Sequence, residues 1–182
     1  MKKIVKWILI VVVSLTAILY ISLRVLRYQT KSHSPEEIIT HSLNNSDLSV
    51  YYNRPYKKGR EIFGQLVPFN EVWRTGANEA STFSTGRDLK IDGQTLEKGT
   101  YTLWTIPNEE EWTIIFNSKL YGWGVGWGGV VSRNPEYDVL KINVPVEKTD
   151  KEVEQFTIRF EEDPSLKLIM EWDYTRVSLE FD

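Results

Sequence analysis

Four short stretches in the last third of the chain decide its fold: LKINVPVE (140–147), FTIRFEE (156–162), LKLIMEW (166–172) and VSLEF (177–181). Apolar residues recur at every second position, so that Ile158, for example, stands between Thr157 and Arg159. Successive side chains of a strand point to opposite faces of a sheet, and this period of two is typical of half-buried antiparallel strands. The sequence therefore predicts a body built of β-strands.

The same pattern extends back through the middle of the chain. Asp92-Gly93 separates two short apolar runs, which is a strong β-hairpin signal, and Lys98-Gly99 precedes a further apolar run at Thr100–Ile106. We count about ten short strands, with turn signals roughly every 8–12 residues, as in β-sandwiches and jelly rolls. We expect an all-β, jelly-roll-like antiparallel sandwich over residues 48–182.

The amino-terminal part has a different composition. Trp7–Leu23 contains 17 residues without a charge. At about 1.5 Å per residue a helix of this run is about 26 Å long, and three flanking residues at each end extend it across a hydrocarbon core of about 30 Å. We predict a transmembrane anchor over residues 1–27, in the membrane through residues 4–26. The alternative is a cleaved signal peptide, but Arg24-Val25-Leu26-Arg27 lacks the small residues of a cleavage site.

Charge is distributed unevenly along the chain. Residues 1–31 hold six of the 22 basic residues and none of the 25 acidic ones, which leaves the rest of the chain strongly acidic. An acidic body repels phosphate backbones, and we expect no nucleic-acid partner. Basic residues lie at both ends of the apolar run, so the positive-inside rule only slightly favours a cytoplasmic amino terminus. The body is then extracytoplasmic, in the periplasm or at the cell surface.

Residues 28–47 are polar and are expected to form a juxtamembrane linker. Ser34-Pro35-Glu36-Glu37 has the order of a helix start, with a serine cap, a proline at the first position and acids in the first turn. We expect one or two helical turns to about Leu43, ended by Asn44-Asn45-Ser46-Asp47.

Residue usage excludes several kinds of chemistry. The chain has no cysteine and two histidines, which excludes disulfides, thiol nucleophiles and metal sites built from Cys or several His. The spaced aspartates of a calcium loop and the Gly-Lys-Ser/Thr of a phosphate loop do not occur in the sequence. We therefore expect no metal, no cofactor and no nucleotide.

A dense polar region runs from Asn53 to Glu79 and contains the string WRTGANE at residues 73–79. Further strings accompany it: YNRP (52–55), KGR (58–60), IFG (62–64), LVP (66–68), GTY (99–101), TIP (105–107) and EWT (111–113). Together they resemble a bacterial family known as the domain of unknown function number twenty-nine-eleven, over roughly residues 34–160. The resemblance implies a secreted or envelope-attached body in many members, and it supplies no established activity or catalytic residue.

This region supplies the first set of candidate site residues: Arg54, Arg60, Arg74, Asn78 and Glu79. Three guanidinium groups beside an amide and a carboxylate are suited to holding a carboxylate or a sugar. The alternative is an internal network of ion pairs and turns that ties a long loop to the sheet.

The second candidate is the glycine-rich stretch YGWGVGWGG at residues 121–129. Trp123 and Trp127 lie four residues apart on what we expect to be a loop, where flat aromatic faces can stack on sugar rings. The alternative is that both tryptophans fold back onto the core.

These observations favour a membrane-anchored, extracytoplasmic β-domain that binds a glycan or an envelope protein. One alternative is a hydrolase of envelope or carbohydrate material that acts through Glu71 or Glu79, the acids nearest to this constellation. Another is a purely structural envelope protein. The sequence favours binding over catalysis because it contains no recognisable nucleophile or general-base arrangement.

Overall fold

A computed structural model describes residues 2–43 and 46–182 of the chain, without the side chains of Lys2, Leu43 and Trp127. The chain divides into two compact units between His33 and Ser34.

The first unit is a single helix, α1 (Lys2–His33). Its apolar side chains are exposed, and it is long and apolar enough to cross a membrane. Within it, Thr16 donates a hydrogen bond to the carbonyl of Val13 (2.9 Å), so this hydroxyl group adds no unsatisfied polar group to the apolar run. The predicted apolar helix is confirmed, and its length and hydropathy fit a membrane anchor or a signal sequence.

The second unit is an antiparallel β-structure, which confirms the predicted fold class. In the described residues the strands are β1 (Glu36–Leu43), β2 (Ser46–Asn53), β3 (Thr82–Thr85), β4 (Leu89–Ile91), β5 (Gln94–Leu96), β6 (Gly99–Pro107), β7 (Glu111–Asn117), β8 (Asp138–Glu162) and β9 (Leu166–Glu180). Seven of them follow one another in a sheet of order β1-β2-β3-β6-β7-β8-β9, and β4 and β5 form a separate hairpin. The turn of this hairpin is the predicted Asp92-Gly93 pair, with φ of 50° and 70°.

Strand β1 replaces the helical turns expected after Ser34, and that expectation is wrong. β1 pairs with β2 along its whole length, from Glu36 opposite Asn53 onward. Ile38, Ile39 and Thr40 are β-branched and favour a strand, and pairing with β2 outweighs a local helix-start signal. Of the predicted linker, residues 28–33 continue α1 and residues 36–43 join the sheet; the division of the chain at residues 27 and 47 stays a prediction. Asn44 and Asn45, expected to end the helical turns, lie outside the described residues.

The sheet curls because β8 takes part in two pairings. Its first part pairs with β7 as far as Pro145, and from Val146 onward it pairs with β9. Two register shifts between Lys148 and Thr157 bend the strand between these pairings. The hydroxyl group of Tyr52 on β2 accepts a hydrogen bond from the backbone N–H of Ile158 on β8 (2.9 Å). Strands β2 and β8 therefore cover a common core.

An aromatic cluster fills the part of the core nearest to the WRTGANE turn. Five rings lie with centroids 4.9–6.2 Å apart, mostly edge to face: Phe63, Trp73, Trp112, Phe156 and Trp172. Trp104 is fully buried with Ile115 in a smaller cluster. Trp73 thus anchors the turn that carries Arg74.

Candidate functional site

The WRTGANE turn is fixed at its start by Trp73. The backbones of Trp73 and Thr105 exchange two hydrogen bonds, of 2.7 and 3.0 Å, which attach the turn to strand β6. The indole Nε1–H of Trp73 donates to the carbonyl of Gly76 (3.0 Å) and closes the turn on itself. These hydrogen bonds of Trp73 therefore fix the position of the next residue, Arg74, relative to the core.

The turn has an unusual backbone that its side chains hold in place. Thr75, Gly76 and Asn78 have positive φ values of 54°, 147° and 58°. A Cβ atom at Gly76 would lie 2.8 Å from the carbonyl oxygen of Asn53, so only glycine fits there. The strained Thr75 is held because Ser81 donates a hydrogen bond to its carbonyl group (2.7 Å).

Asn78 and Glu79 are used mainly inside the body. The amide of Asn78 lies 3.5 Å from both the Ser34 carbonyl oxygen and Asn53 Oδ1, and Asn78 is buried. Glu79 accepts a hydrogen bond from Asn53 Nδ2 (3.1 Å). These contacts tie the turn to the end of β2, as the structural alternative expects.

Two of the three candidate arginines also bond to other residues of the chain. Arg54 pairs with Glu37 (Nη1 to Oε2, 3.2 Å) and donates to Thr157 Oγ1 (2.8 Å). The exposed Arg60 donates to the carbonyl groups of Lys57 (2.9 Å) and Tyr56, and so closes its own turn. Neither side chain contributes to the surroundings of Arg74.

Arg74 differs from both because its side chain has no partner among the described residues. Its Nε atom is buried without an acceptor, and no described residue gives its guanidinium group an ion pair or a hydrogen bond. Burial lowers the pKa of this guanidinium group from its ordinary value. A desolvated charge without a partner is costly, so a negatively charged ligand would be stabilised here.

The glycine-rich stretch packs directly on Arg74. The N–H of Gly124 donates to the carbonyl of Asn78 (3.0 Å), and the carbonyl of Gly124 accepts from the N–H of Ser132 (3.1 Å). A Cβ atom at Gly124 would lie 2.7 Å from Arg74 Cβ and 3.0 Å from Arg74 Cγ, with Cδ nearer still. The two candidate regions, which were predicted separately, are therefore in direct contact. Gly124 was missed as a site residue, although a glycine between two tryptophans is a sign of close packing.

A cleft of about 190 Å³ opens beside the Arg74 side chain. Arg74 and the exposed Glu71 line it together with apolar residues from positions 66–68 and with Val125 and Val131. A cleft of this size accommodates a single charged group rather than a whole ligand.

A wider, open hollow of about 760 Å³ shares Val125 with the cleft as a lining residue. Trp123 lines the hollow with 37% of its surface exposed. Tyr121 is instead anchored: its ring packs on Trp104 (5.6 Å between centroids) and its hydroxyl group accepts from the N–H of Asn134 (2.7 Å). The side chain of Trp127, the second predicted platform residue, lies outside the described part of the chain.

The two acids of the hydrolase alternative lie in different surroundings. Glu71 lines the Arg74 cleft, whereas Glu79 bonds to Asn53 and does not line that cleft. Within residues 2–43 and 46–182, no group of three His, Asp or Glu side chains could hold a metal ion.

Comparison with protein families matches residues 34–181 to the family described as Protein of unknown function (DUF2911). The chain belongs to this family. The matched region begins where α1 has ended and includes strand β1, so the DUF2911 region coincides with the second compact unit. It also extends through the long β8–β9 hairpin, further than the similarity expected from the sequence. No curated protein and no solved structure matches the chain.

Proposed function

We propose that this DUF2911 protein is a membrane-anchored binding protein whose extracytoplasmic body holds an acidic glycan of the cell envelope at Arg74. The observation that carries the proposal is the partly buried Arg74 guanidinium group, which has no partner among the described residues. An acidic sugar is proposed because a charge-binding cleft adjoins a hollow lined by an exposed tryptophan.

The guanidinium group of Arg74 is suited to binding an acidic sugar by its chemistry and by the packing of its side chain. A planar guanidinium group can give a carboxylate or phosphate two parallel hydrogen bonds. Arg74 is packed against Gly124, so part of the side-chain entropy that binding would otherwise cost is already lost. Arg54, in contrast, already has Glu37 as its anionic partner.

Trp123 would supply the second half of the recognition. Its partly exposed ring offers a flat apolar face for the C–H groups of a sugar ring. Val125 lines both the hollow and the cleft, so a sugar ring in the hollow could place its acidic group beside Arg74.

Attachment to the membrane rests on α1, whose length and hydropathy fit an anchor. The slight excess of positive charge before the apolar run favours an exported body, which would face the envelope polymers that carry acidic sugars.

Binding of digalacturonate by the full chain tests the proposal. The chain is held in lauryldimethylamine oxide micelles, which carry neither sugar nor phosphate, and heat of binding is measured by titration calorimetry. Arg74→Gln removes a charged donor and is expected to weaken binding by about 10- to 100-fold. Arg60→Gln is the matched control, because Arg60 is exposed and bonds only backbone carbonyl groups.

Three results would refute the proposal: wild-type chain that binds no digalacturonate, Arg74→Gln that binds as the wild type does, or equal losses in both variants. Trp123→Ala should weaken digalacturonate binding without affecting the binding of inorganic phosphate. The hydrolase alternative stays a prediction. Glycosidases place two carboxyl groups across the scissile bond, whereas Glu71 supplies one carboxyl group to the lining of the cleft.

A further inference from the structure

In addition to the Arg74 cleft and the Trp123 hollow, the body has a second cavity, of about 490 Å³. It lies among the loop at 61–69, the β6–β7 turn and strand β9. It shares no lining residue with the Arg74 cleft or with the Trp123 hollow. Its volume lies within the range of about 300–1,000 Å³ that is usual for small-molecule sites. The proposed function does not use this cavity.

An irregularity in β9 forms one wall of the cavity. Asp173, Tyr174 and Thr175 are consecutive, yet all three line it. In a regular strand, successive side chains would point to opposite faces. The pairing of β9 with β8 shifts register on both sides of Asp173, which has a positive φ of 57°. The extra residues of these shifts lie on β8, and the left-handed backbone of Asp173 interrupts the alternation of β9 where its three neighbouring residues line one space.

Aromatic side chains form much of the remaining lining: Phe63, Phe69, Trp112 and Tyr174. The rings of Phe63 and Trp112 are fixed in the aromatic core with their centroids 5.0 Å apart. Tyr174 is the exposed member, with 47% of its surface accessible. Rigid and exposed rings in one cavity offer flat apolar faces at little entropic cost.

Polar groups with spare hydrogen-bonding capacity accompany these rings. Nε1–H of Trp112 is buried and has no acceptor among the described residues. Buried N–H groups are nearly always paired, so an orphaned one beside a cavity indicates a place for an oxygen atom of a ligand or a water molecule. Glu109 adds a carboxylate group to which a hydroxyl group could donate, whereas the amide of Asn108 already bonds to Asn70 (2.7 Å) and to the N–H of Glu110 (3.3 Å).

The charges of the lining restrict the kind of ligand. Glu61, Glu109 and Asp173 are acidic and Lys148 is basic. Asp173 is already paired with Lys57 (2.7 Å), which leaves the other two carboxylates facing a single lysine. An anionic ligand would be repelled, in contrast with the Arg74 cleft. We infer that this cavity binds an uncharged or amino sugar, stacked on Tyr174 and hydrogen-bonded by Glu109 and the Trp112 indole.

The inference is tested with cellobiose and the disaccharide of glucosamine as probes, and with digalacturonate as the anionic comparison. Binding to the full chain in lauryldimethylamine oxide micelles is followed by titration calorimetry. We expect one or both of the first two probes to bind to the wild type and to Arg74→Gln alike. Equal binding to the wild type and to Arg74→Gln would show that the probe does not depend on Arg74. The inference about this cavity is therefore tested independently of the proposed function.

Matched variants locate the binding. Tyr174→Ala should weaken it at least tenfold, whereas Tyr137→Ala, which removes a tyrosine of similar exposure (43%) outside the cavity, should leave it unchanged. Glu109→Gln should weaken binding of the glucosamine disaccharide, whereas Glu110→Gln, next to it but not in the lining, should not.

The inference is overturned if neither probe binds at about 10 mM, a concentration at which even millimolar affinity is measurable. It is equally overturned if Tyr174→Ala binds as the wild type does, or if Tyr137→Ala loses as much affinity. Preferential binding of digalacturonate that depends on Glu109 would contradict the charge argument.

Discussion

Replacing Gly124 by alanine is expected to separate the glycine-rich stretch from Arg74. The new Cβ atom would lie 2.7 Å from Arg74 Cβ, closer than real Cβ atoms approach. Arg74 Cβ is attached to the backbone and cannot swing aside, so either the loop or the turn must move. Because Gly124 does not have a positive φ, alanine brings no backbone strain and the whole effect is steric.

Overpacking of this kind costs about 1–3 kcal/mol of folding free energy. For a domain of this size the midpoint of thermal unfolding falls by about 2–4 °C for each kcal/mol, which predicts a decrease of about 2–12 °C. Binding of digalacturonate should also weaken, because the guanidinium group loses its support. The assay is thermal unfolding of the full chain followed by tryptophan fluorescence, combined with calorimetry.

Gly122→Ala is the control from the same stretch, since a Cβ atom there would meet nothing within 4 Å. Its free energy of unfolding should stay within about 0.5 kcal/mol of the wild type. In an Arg74→Ala background the cost of Gly124→Ala should fall but persist, because the Cβ atom of residue 74 remains. Equal effects of Gly122→Ala and Gly124→Ala, or no effect of either, would refute the packing argument.

Three further predictions concern the core, the pH dependence and the helix. Trp73→Ala should cost about 3–5 kcal/mol in urea unfolding, whereas the half-exposed Trp123→Ala should cost little; similar losses would contradict the anchoring role of Trp73. Burial, followed by the hydrogen bond to Glu37, raises the pKa of Tyr52. The unfolded chain therefore loses this proton first above about pH 10, and the free energy of unfolding falls by up to about 1.4 kcal/mol per pH unit. Tyr52→Phe should reduce that slope. An unchanged slope would contradict the claim that the raised pKa of Tyr52 causes this loss of stability. An uncleaved anchor predicts a membrane-bound chain with the full mass of 21.2 kDa, and a mass lacking α1 would identify a signal sequence.

The strands could be predicted because their information is local. The alternation around Ile158 is enough to place one face inward, and the Asp92-Gly93 hairpin needs only its two residues. The curl of the sheet depends on register shifts between Lys148 and Thr157, which a period of two does not reveal. The segment of β1 was wrongly predicted to form helical turns. Its partner strand β2, rather than its own cap residues, determines its structure.

The site could be predicted only in part, for a related reason. Arg54, Arg60 and Arg74 look alike in the sequence, and only distant residues distinguish them. Thr157, which accepts a hydrogen bond from Arg54, lies 103 positions away. The packing of Gly124 on Arg74 likewise joins segments that are far apart in the chain.

The most direct measurement of the central claim follows the arginine Nε–H signals by NMR in the full chain labelled with ¹⁵N-arginine, as digalacturonate is added. An Arg74 that is free to bind an anion predicts a progressive shift of the Arg74 signal, while the signals of Arg54 and Arg60 stay in place. No shift at Arg74, or equal shifts at all three arginines, would contradict the account.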